Sequence, residues 1–249
     1  MATLIGAGVR LGAGVSLGSG AVLPAPLLSY VGENTVGLSD TDPYTNTTLQ
    51  TACNPGGSKV WAFDEDSSPL YDSNHAGLGE SIQFESSPTR SVYTADSEIL
   101  ALGSSLVFTI AMRFQLDVSS GNRAFFAWDN GTTTNRVMIQ YLSGTGWRIV
   151  ISAGASRTAS GSVIGSATAV NTLVYVCNGS DLWVYENGSL AIDTADISGS
   201  APSGLTASRW GAIDTSGTPS SNIDGNFDRL NIYDFAATPT QVAAILASF

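Results

Sequence analysis

The sequence predicts an all-β protein of antiparallel strands, and three observations predict it. Gly supplies 27 of the 249 residues and Met only three, with Ser and Thr abundant, a composition that suits short strands and tight turns better than helices. Residues 107–116 alternate, placing Phe108, Ile110, Met112, Phe114 and Leu116 on one face and Thr109, Ala111, Arg113 and Gln115 on the other, as in a strand with one dry and one wet side. Asn187-Gly188 separates two further strand-like runs, and this dipeptide accepts the positive φ that a type I′ hairpin turn demands at both central positions.

The chain begins with three hexads, Ile5-Gly-Ala-Gly-Val-Arg, Leu11-Gly-Ala-Gly-Val-Ser and Leu17-Gly-Ser-Gly-Ala-Val, closed by Leu23. One aliphatic residue in every hexad is the pattern of a β-solenoid, whose aliphatic side chains share one axis. Three hexads make about one coil, and repeat structures need roughly three stacked units to bury a continuous core. Residues 1–23 therefore read either as a Gly-rich tail or as a docking and oligomerisation segment, in which a homotrimer would stack three leaders. Gly6, Gly8, Gly12, Gly14 and Gly18 break any helix, and no basic residue precedes Arg10, so an export signal is not expected. No run of about twenty apolar residues follows that would span a membrane.

Residues 24–58 carry Pro24, Pro26 and Asn54-Pro55-Gly56-Gly57, show no sustained period beyond Leu27–Val31, and read as a connector. Residues 59–249 read as one domain. Its expected strands are 81–84, 107–116, 124–128, 136–142, 147–152, 173–177, 182–186, 189–193, 208–213 and 227–235, mostly joined by short Gly, Asn or Ser turns in an antiparallel meander. Residues 152–169 read as a long polar loop with room for one short strand near Val163. One helix is expected, at the C-terminus: Thr238 caps it, Pro239 takes the first position, and Gln241 completes a capping box. Val242, Ile245, Leu246 and Phe249 give that helix one apolar stripe to lay on a sheet.

Charge narrows the function classes. Ten basic residues against 21 acidic ones leave a formal charge of −11, and Lys59 is the only lysine, which excludes a phosphate-tracking surface and a nucleic-acid partner. Cys53 and Cys177 lie too far apart in sequence, and in contexts too unlike, for a CxxC metal pair, and Cys177 reads as a small buried hydrophobe within its strand. His75, the sole histidine, has no nucleophile setting around it, and neither Gly-x-Ser-x-Gly nor a phosphate-cradling Gly-Lys loop occurs.

Several segments, in order and spacing, resemble the laminin G-like or concanavalin A-like lectin family across about residues 59–249. They are Val60-Trp-Ala-Phe-Asp-Glu-Asp-Ser-Ser with Tyr71-Asp72-Ser73-Asn74, then Ile82-Gln-Phe84, Val107-Phe-Thr-Ile110, Leu182-Trp-Val-Tyr-Glu-Asn-Gly188 and Gly225-Asn-Phe-Asp-Arg-Leu-Asn-Ile-Tyr233. The resemblance implies a two-sheet antiparallel jelly-roll sandwich with a short C-terminal helix. The chain departs from the family where a Trp usually leads into a central strand, since Asn171-Thr172 stand there. The leader resembles left-handed β-helix repeats and the Gly-rich leaders of some phage virion proteins.

The resemblance also implies chemistry to look for. Glycosidases of this superfamily carry a Glu-x-Asp-x-x-Glu triplet on one strand, which this chain lacks, and Asp64-Glu65-Asp66 reads better as a solvated turn than as a catalytic pair. No catalytic residue is expected. Related domains hold a structural calcium, for which Asp72, Asn74 and Asp224 are the candidate ligands, with solvated turns as the alternative. Sugar binding uses flat aromatic faces with polar neighbours, which nominates Trp128, Asp129, Asn130, Trp183, Tyr185 and Trp210, with core packing as the competing role for each ring. The reading so assembled is a virion accessory protein, a head or tail fibre or capsid decoration. Residues 1–23 would dock on other virion proteins and the outward lectin-like domain would bind a host-surface glycan. The alternative is a secreted or cell-surface carbohydrate-binding module, and a glycoside hydrolase ranks below both.

Overall fold

The computed structural model describes residues 23–34, 38–45, 48–49, 52, 62–64, 68–85, 90–214 and 219–249. The hexads therefore lie outside the described residues, as do Cys53, Trp61 and the side chains of Asp64 to Asp66. The strands run in chain order as β1 (Leu28–Val31), β2 (Ala62–Asp64), β3 (Leu70–His75), β4 (Gly79–Phe84) and β5 (Ser91–Thr94), followed by helix α1 (Ser97–Ser105). Then come β6 (Val107–Leu116), β7 (Asn122–Asp129), β8 (Asn135–Leu142), β9 (Gly146–Ala153), β10 (Ala155–Gly161), β11 (Val170–Asn178), β12 (Asp181–Glu186) and β13 (Ser189–Asp196). The chain ends with β14 (Ala207–Trp210), the small pair β15 (Ile213–Asp214) and β16 (Pro219–Ser220), β17 (Gly225–Tyr233) and helix α2 (Pro239–Leu246).

These strands form two large antiparallel sheets. The first is ordered β13-β12-β11-β6-β17-β4-β3, with β1 also on β17, and the second β10-β9-β8-β7-β14-β5-β2. The alternation read along residues 107–116 puts Phe108, Ile110, Met112, Phe114 and Leu116 between the sheets. There they meet the inward residues of β7, β8 and β9, as a two-layer sandwich requires. An aromatic chain runs through the middle: Phe227 lies 5.3 Å from Phe114 and 5.5 Å from Trp210, and Phe114 lies 5.8 Å from Trp147, ring centre to ring centre.

Several expectations are met closely. Asn187 and Gly188 have φ of 50° and 82°, and the turn joins Glu186 to Ser189 as a hairpin. Thr238 Oγ1 accepts the Gln241 backbone N–H at 3.3 Å while Gln241 Oε1 accepts the Thr238 N–H at 2.9 Å, the reciprocal box that satisfies two donors at the start of α2. α2 packs Val242 and Ile245 on Ala111, Val174, Val176 and Tyr233, on the outward face of the first sheet. Cys177 is a free, buried thiol.

Three expectations are corrected. Leu28–Val31, assigned to a connector, is a strand of the sandwich, paired with residues 229–232 of β17 and carrying Leu28 and Tyr30 into the core. Four residues are too few to display a period, so only the pairing reveals it. A second helix, α1, stands where none was expected: Asp96 accepts the N–H groups of Glu98 and Ile99, and Ile99 and Leu102 face inward. Gly103 is required in that helix, since a Cβ there would come within 2.6 Å of the Trp128 ring. Residues 155–161, read as loop, form the edge strand β10. It is rich in Ser and Thr because an edge strand with one wet face has little apolar surface to bury.

Candidate functional site

The outward face of the second sheet gathers the charged groups that the core does not use. A bulge in β7 between Ala124 and Phe126 turns both Phe125 and Phe126 inward, after which Ala127 and Asp129 point outward. From β8 this face takes Arg136, Met138 and Gln140, from β9 Arg148, Val150 and Ser152, and from β14 Arg209 beside Tyr93 of β5. Register arranges them in rows. Ala127 stands opposite Met138 and Met138 opposite Val150, an apolar row that clusters with Ala124 and Ile213 apart from the main core. On one side of that row Asp129 stands opposite Arg136, and on the other Gln140 stands opposite Arg148. Arg209 closes the β14 end, in register with both Ala127 and Tyr93.

Electrostatics distinguish the three guanidinium groups. Arg209 Nε lies 3.2 Å from Asp129 Oδ2, and its guanidinium carbon sits 5.8 Å from the centre of the Tyr93 ring, so its charge is compensated twice. Asp129 is fully buried and also accepts the Gly131 N–H at 3.0 Å, which anchors the turn after β7. With the Gln140 amide turned so that its oxygen faces the guanidinium, the orientation that satisfies both groups, Arg148 donates to it from Nε and Nη2. Arg136 has a buried Nε with no hydrogen-bond partner among the described residues. Burial pulls the Arg136 pKa down, Asp129 opposes the shift, and the neighbouring Arg148 adds to it; burial likewise lowers Arg148. Guanidinium groups stay protonated at neutral pH, so the lowered values report charge held at a cost.

The residues nominated from sequence fall in three places. Trp128 and Trp210 are core residues, a correction to their nomination as stacking platforms. Trp128 donates its indole N–H to the Ile99 carbonyl at 2.8 Å, and Trp210 packs edge-on against Tyr30 and Phe84, so neither ring face is open to a sugar. Trp183 and Tyr185 lie on the outward face of the other sheet, beside α2, with Leu182 and Val184 inward. Asp129 belongs to the arginine-lined face, and Asn130 follows it into the loop, accepting from Thr132 Oγ1 at 2.6 Å. The arginines themselves escaped the sequence reading, which searched for aromatic rings. Their signal was present in the alternate positions Arg136-x-Met138-x-Gln140 and Arg148-x-Val150-x-Ser152.

Of the nominated calcium ligands, Asp72 has its carboxylate in a hydrogen-bond network. Asp72 Oδ2 lies 2.9 Å from His75 Nδ1 and accepts from Asn226 Nδ2 at 3.1 Å, while Oδ1 accepts the Asn74 N–H at 3.1 Å. His75, read as a loop residue without function, thus joins Asp72 to Gln115, whose Oε1 is 3.2 Å from Nε2. The Asp224 carbonyl accepts from the Asp117 N–H at 2.9 Å, and burial followed by the charge of Asp224 raises the Asp117 carboxyl above its usual range. Among the described residues no group of three or more His, Cys, Asp or Glu is placed to hold a metal ion.

The family model of the concanavalin A-like lectin/glucanases superfamily matches residues 87–243. No curated protein matches the chain. Among solved structures the chain is similar to domain 4 of AbnA, a GH43 extracellular arabinanase from Geobacillus stearothermophilus, in complex with arabinotriose. The TM-score is 0.65 at 15% identity, covering 90% of this chain and 98% of that one. It is also similar to the CBM40 of the Ruminococcus gnavus IT-sialidase bound to α2,3-sialyllactose, with TM-score 0.52, 14% identity, and 59% and 85% of the two chains covered. NanB sialidase from Streptococcus pneumoniae shares the fold at TM-score 0.54 and 20% identity, over 66% of this chain and 27% of that one. At these identities the similarity is one of fold.

Proposed function

Because the chain belongs to the concanavalin A-like lectin/glucanases superfamily, we propose that it is a secreted or cell-surface carbohydrate-binding module, without catalysis of its own, whose ligand lies on the outward face of the second sheet. The observation that carries the reading is the pair of half-buried guanidinium groups, Arg136 and the Gln140-held Arg148, set on either side of the buried row Ala127, Met138 and Val150. A pyranose presents a rim of oxygens, and fixed guanidinium N–H donors complement it. Two of the structural neighbours are complexes with oligosaccharides, which supports the same reading. The virion reading rested on the expected lack of an export signal, on the acidic, Lys-poor domain and on the hexads, which lie outside the described residues, while the carbohydrate-binding structural neighbours favour the module.

A binding panel that includes arabinotriose, 3′-sialyllactose and plant and bacterial polysaccharides tests this. Arg148→Ala removes the half-buried donors beside Gln140, and is expected to lower affinity for the bound glycan by at least about tenfold. Tyr185→Ala, on the other sheet, should leave it unchanged. Failure of every glycan to bind, or loss of binding in Tyr185→Ala with binding by Arg148→Ala intact, contradicts the proposal.

A further inference from the structure

We propose that the glycan carries a carboxylate, as a sialic-acid or uronic-acid residue does, and that Arg136 and Arg148 receive it. The inference rests on the module reading above and adds the ligand class.

The argument begins from what the other arginines do. Arg90 pairs with Glu85 at 2.7 Å, Arg113 with Asp228 at 3.2 Å, Arg229 with Glu33 at 3.4 Å and Arg209 with Asp129 at 3.2 Å. Arg123 donates to the Asn222 carbonyl at 2.9 Å, and Arg157 donates to the carbonyls of Ile197 and Ser200. Arg136 and Arg148, like Arg123 and Arg157, form no ion pair with a described residue, and Arg136 in addition has a buried Nε without a hydrogen-bond partner among the described residues. Arg136 and Arg148 stand on neighbouring strands, one at each side of Met138 and Val150, close enough for Arg148 to disfavour the charge on Arg136. Among the described side chains of this face, three guanidinium groups meet one carboxylate, Asp129, which Arg209 already engages.

Two half-buried guanidinium groups without a described carboxylate partner thus share one face of a chain whose formal charge is −11. Such an arrangement opposes folding unless an anion relieves it. The buried Nε of Arg136 is a donor aligned with nothing among the described residues, and Nε with Nη is the fork that takes a carboxylate in two parallel bonds. Neutral glycans would leave that donor and the repulsion uncorrected. A carboxylate would relieve both.

The test compares matched ligands by calorimetry: 3′-sialyllactose against lactose, and oligogalacturonate against its methyl ester. At least one acid is expected to bind at least about tenfold more tightly than its neutral partner, and more weakly as salt rises. Arg136→Gln and Arg148→Gln should each remove most of that preference, roughly a tenfold loss or more. Arg229→Gln, which deletes the same charge on the other sheet, should keep it, and thermal melts establish that each variant folds. Whichever acid binds identifies the sugar. Equal affinity for acid and neutral partner, or tighter binding of a neutral glycan, overturns the carboxylate proposal and leaves the module reading standing. No binding of any glycan overturns both. A preference for sulfated over carboxylated polysaccharide also overturns the proposal.

Discussion

Replacing Trp210 by alanine is expected to lower the free energy of unfolding by about 3–5 kcal/mol, the range for truncating a large aromatic side chain in a packed core. Its ring is 5.1 Å from both Tyr30 and Phe84 and 5.5 Å from Phe227, so it touches β1, β4 and β17 from a strand of the opposite sheet. The surroundings cannot collapse into the space, because each of those rings is itself held by a sheet. Trp210→Phe should cost less than half as much, since most of the ring area survives. Glycan binding by whatever fraction remains folded should be unchanged, because the buried indole offers no face to a ligand. Urea unfolding followed by fluorescence measures the first effect. A loss of binding without a loss of stability would return Trp210 to the ligand site.

Glu186→Leu should cost about 1–3 kcal/mol, for a different reason. The Glu186 carboxylate is fully buried and accepts from the Trp147 indole N–H at 2.6 Å and from the backbone N–H groups of Ile164 and Gly165 at 2.7 and 3.2 Å. Leucine of similar volume leaves the buried Trp147 indole N–H without its acceptor and releases the N–H groups of the exposed residues Ile164 and Gly165. The neighbouring Asn187 holds the same segment from its other end: it donates to Asn171 Oδ1 at 3.1 Å, and Asn171 in turn donates to the carbonyls of Ser166 and Ala169 at 2.9 Å each. Removing Glu186 therefore frees residues 162–165 first, and hydrogen exchange should rise at the Ile164 and Gly165 amides before it rises in the β11–β12 pair. Glu186→Gln should fall between wild type and leucine, because one amide oxygen still accepts while the NH₂ group faces other donors. Equal stability of wild type and leucine variant would contradict this account.

How much of this was legible beforehand varied with how local the cause was. The hairpin at Asn187-Gly188 and the capped helix after Thr238 depend on a few adjacent residues, and both stand where the sequence placed them. The strand at residues 28–31 depends on β17, two hundred positions away, and four residues carry no period of their own. α1 was hidden because Gly103, a poor helix former, is there to admit the Trp128 ring, so a tertiary contact overrode local preference. The site was legible in part. Asp129 was named for its place beside Trp128, and the pairing with Arg209 that makes it part of the arginine-lined face is a cross-strand contact no spacing encodes. The aromatic residues were over-weighted because a jelly roll spends most of its large rings between its sheets, as Trp128, Trp147 and Trp210 show.

The central claim, that a glycan occupies the outward face of the second sheet, can be read directly from methionine methyl groups. The chain has three methionines. Met138 lies in the apolar row of that face, Met112 is packed between the sheets, and Met1 lies outside the described residues. Protein labelled with ¹³C at the methionine methyls and titrated with 3′-sialyllactose and with arabinotriose should show the Met138 resonance move and saturate with at least one of them. Met112 should stay in place. Saturable binding that leaves Met138 unmoved would contradict the claim and place the ligand elsewhere on the sandwich.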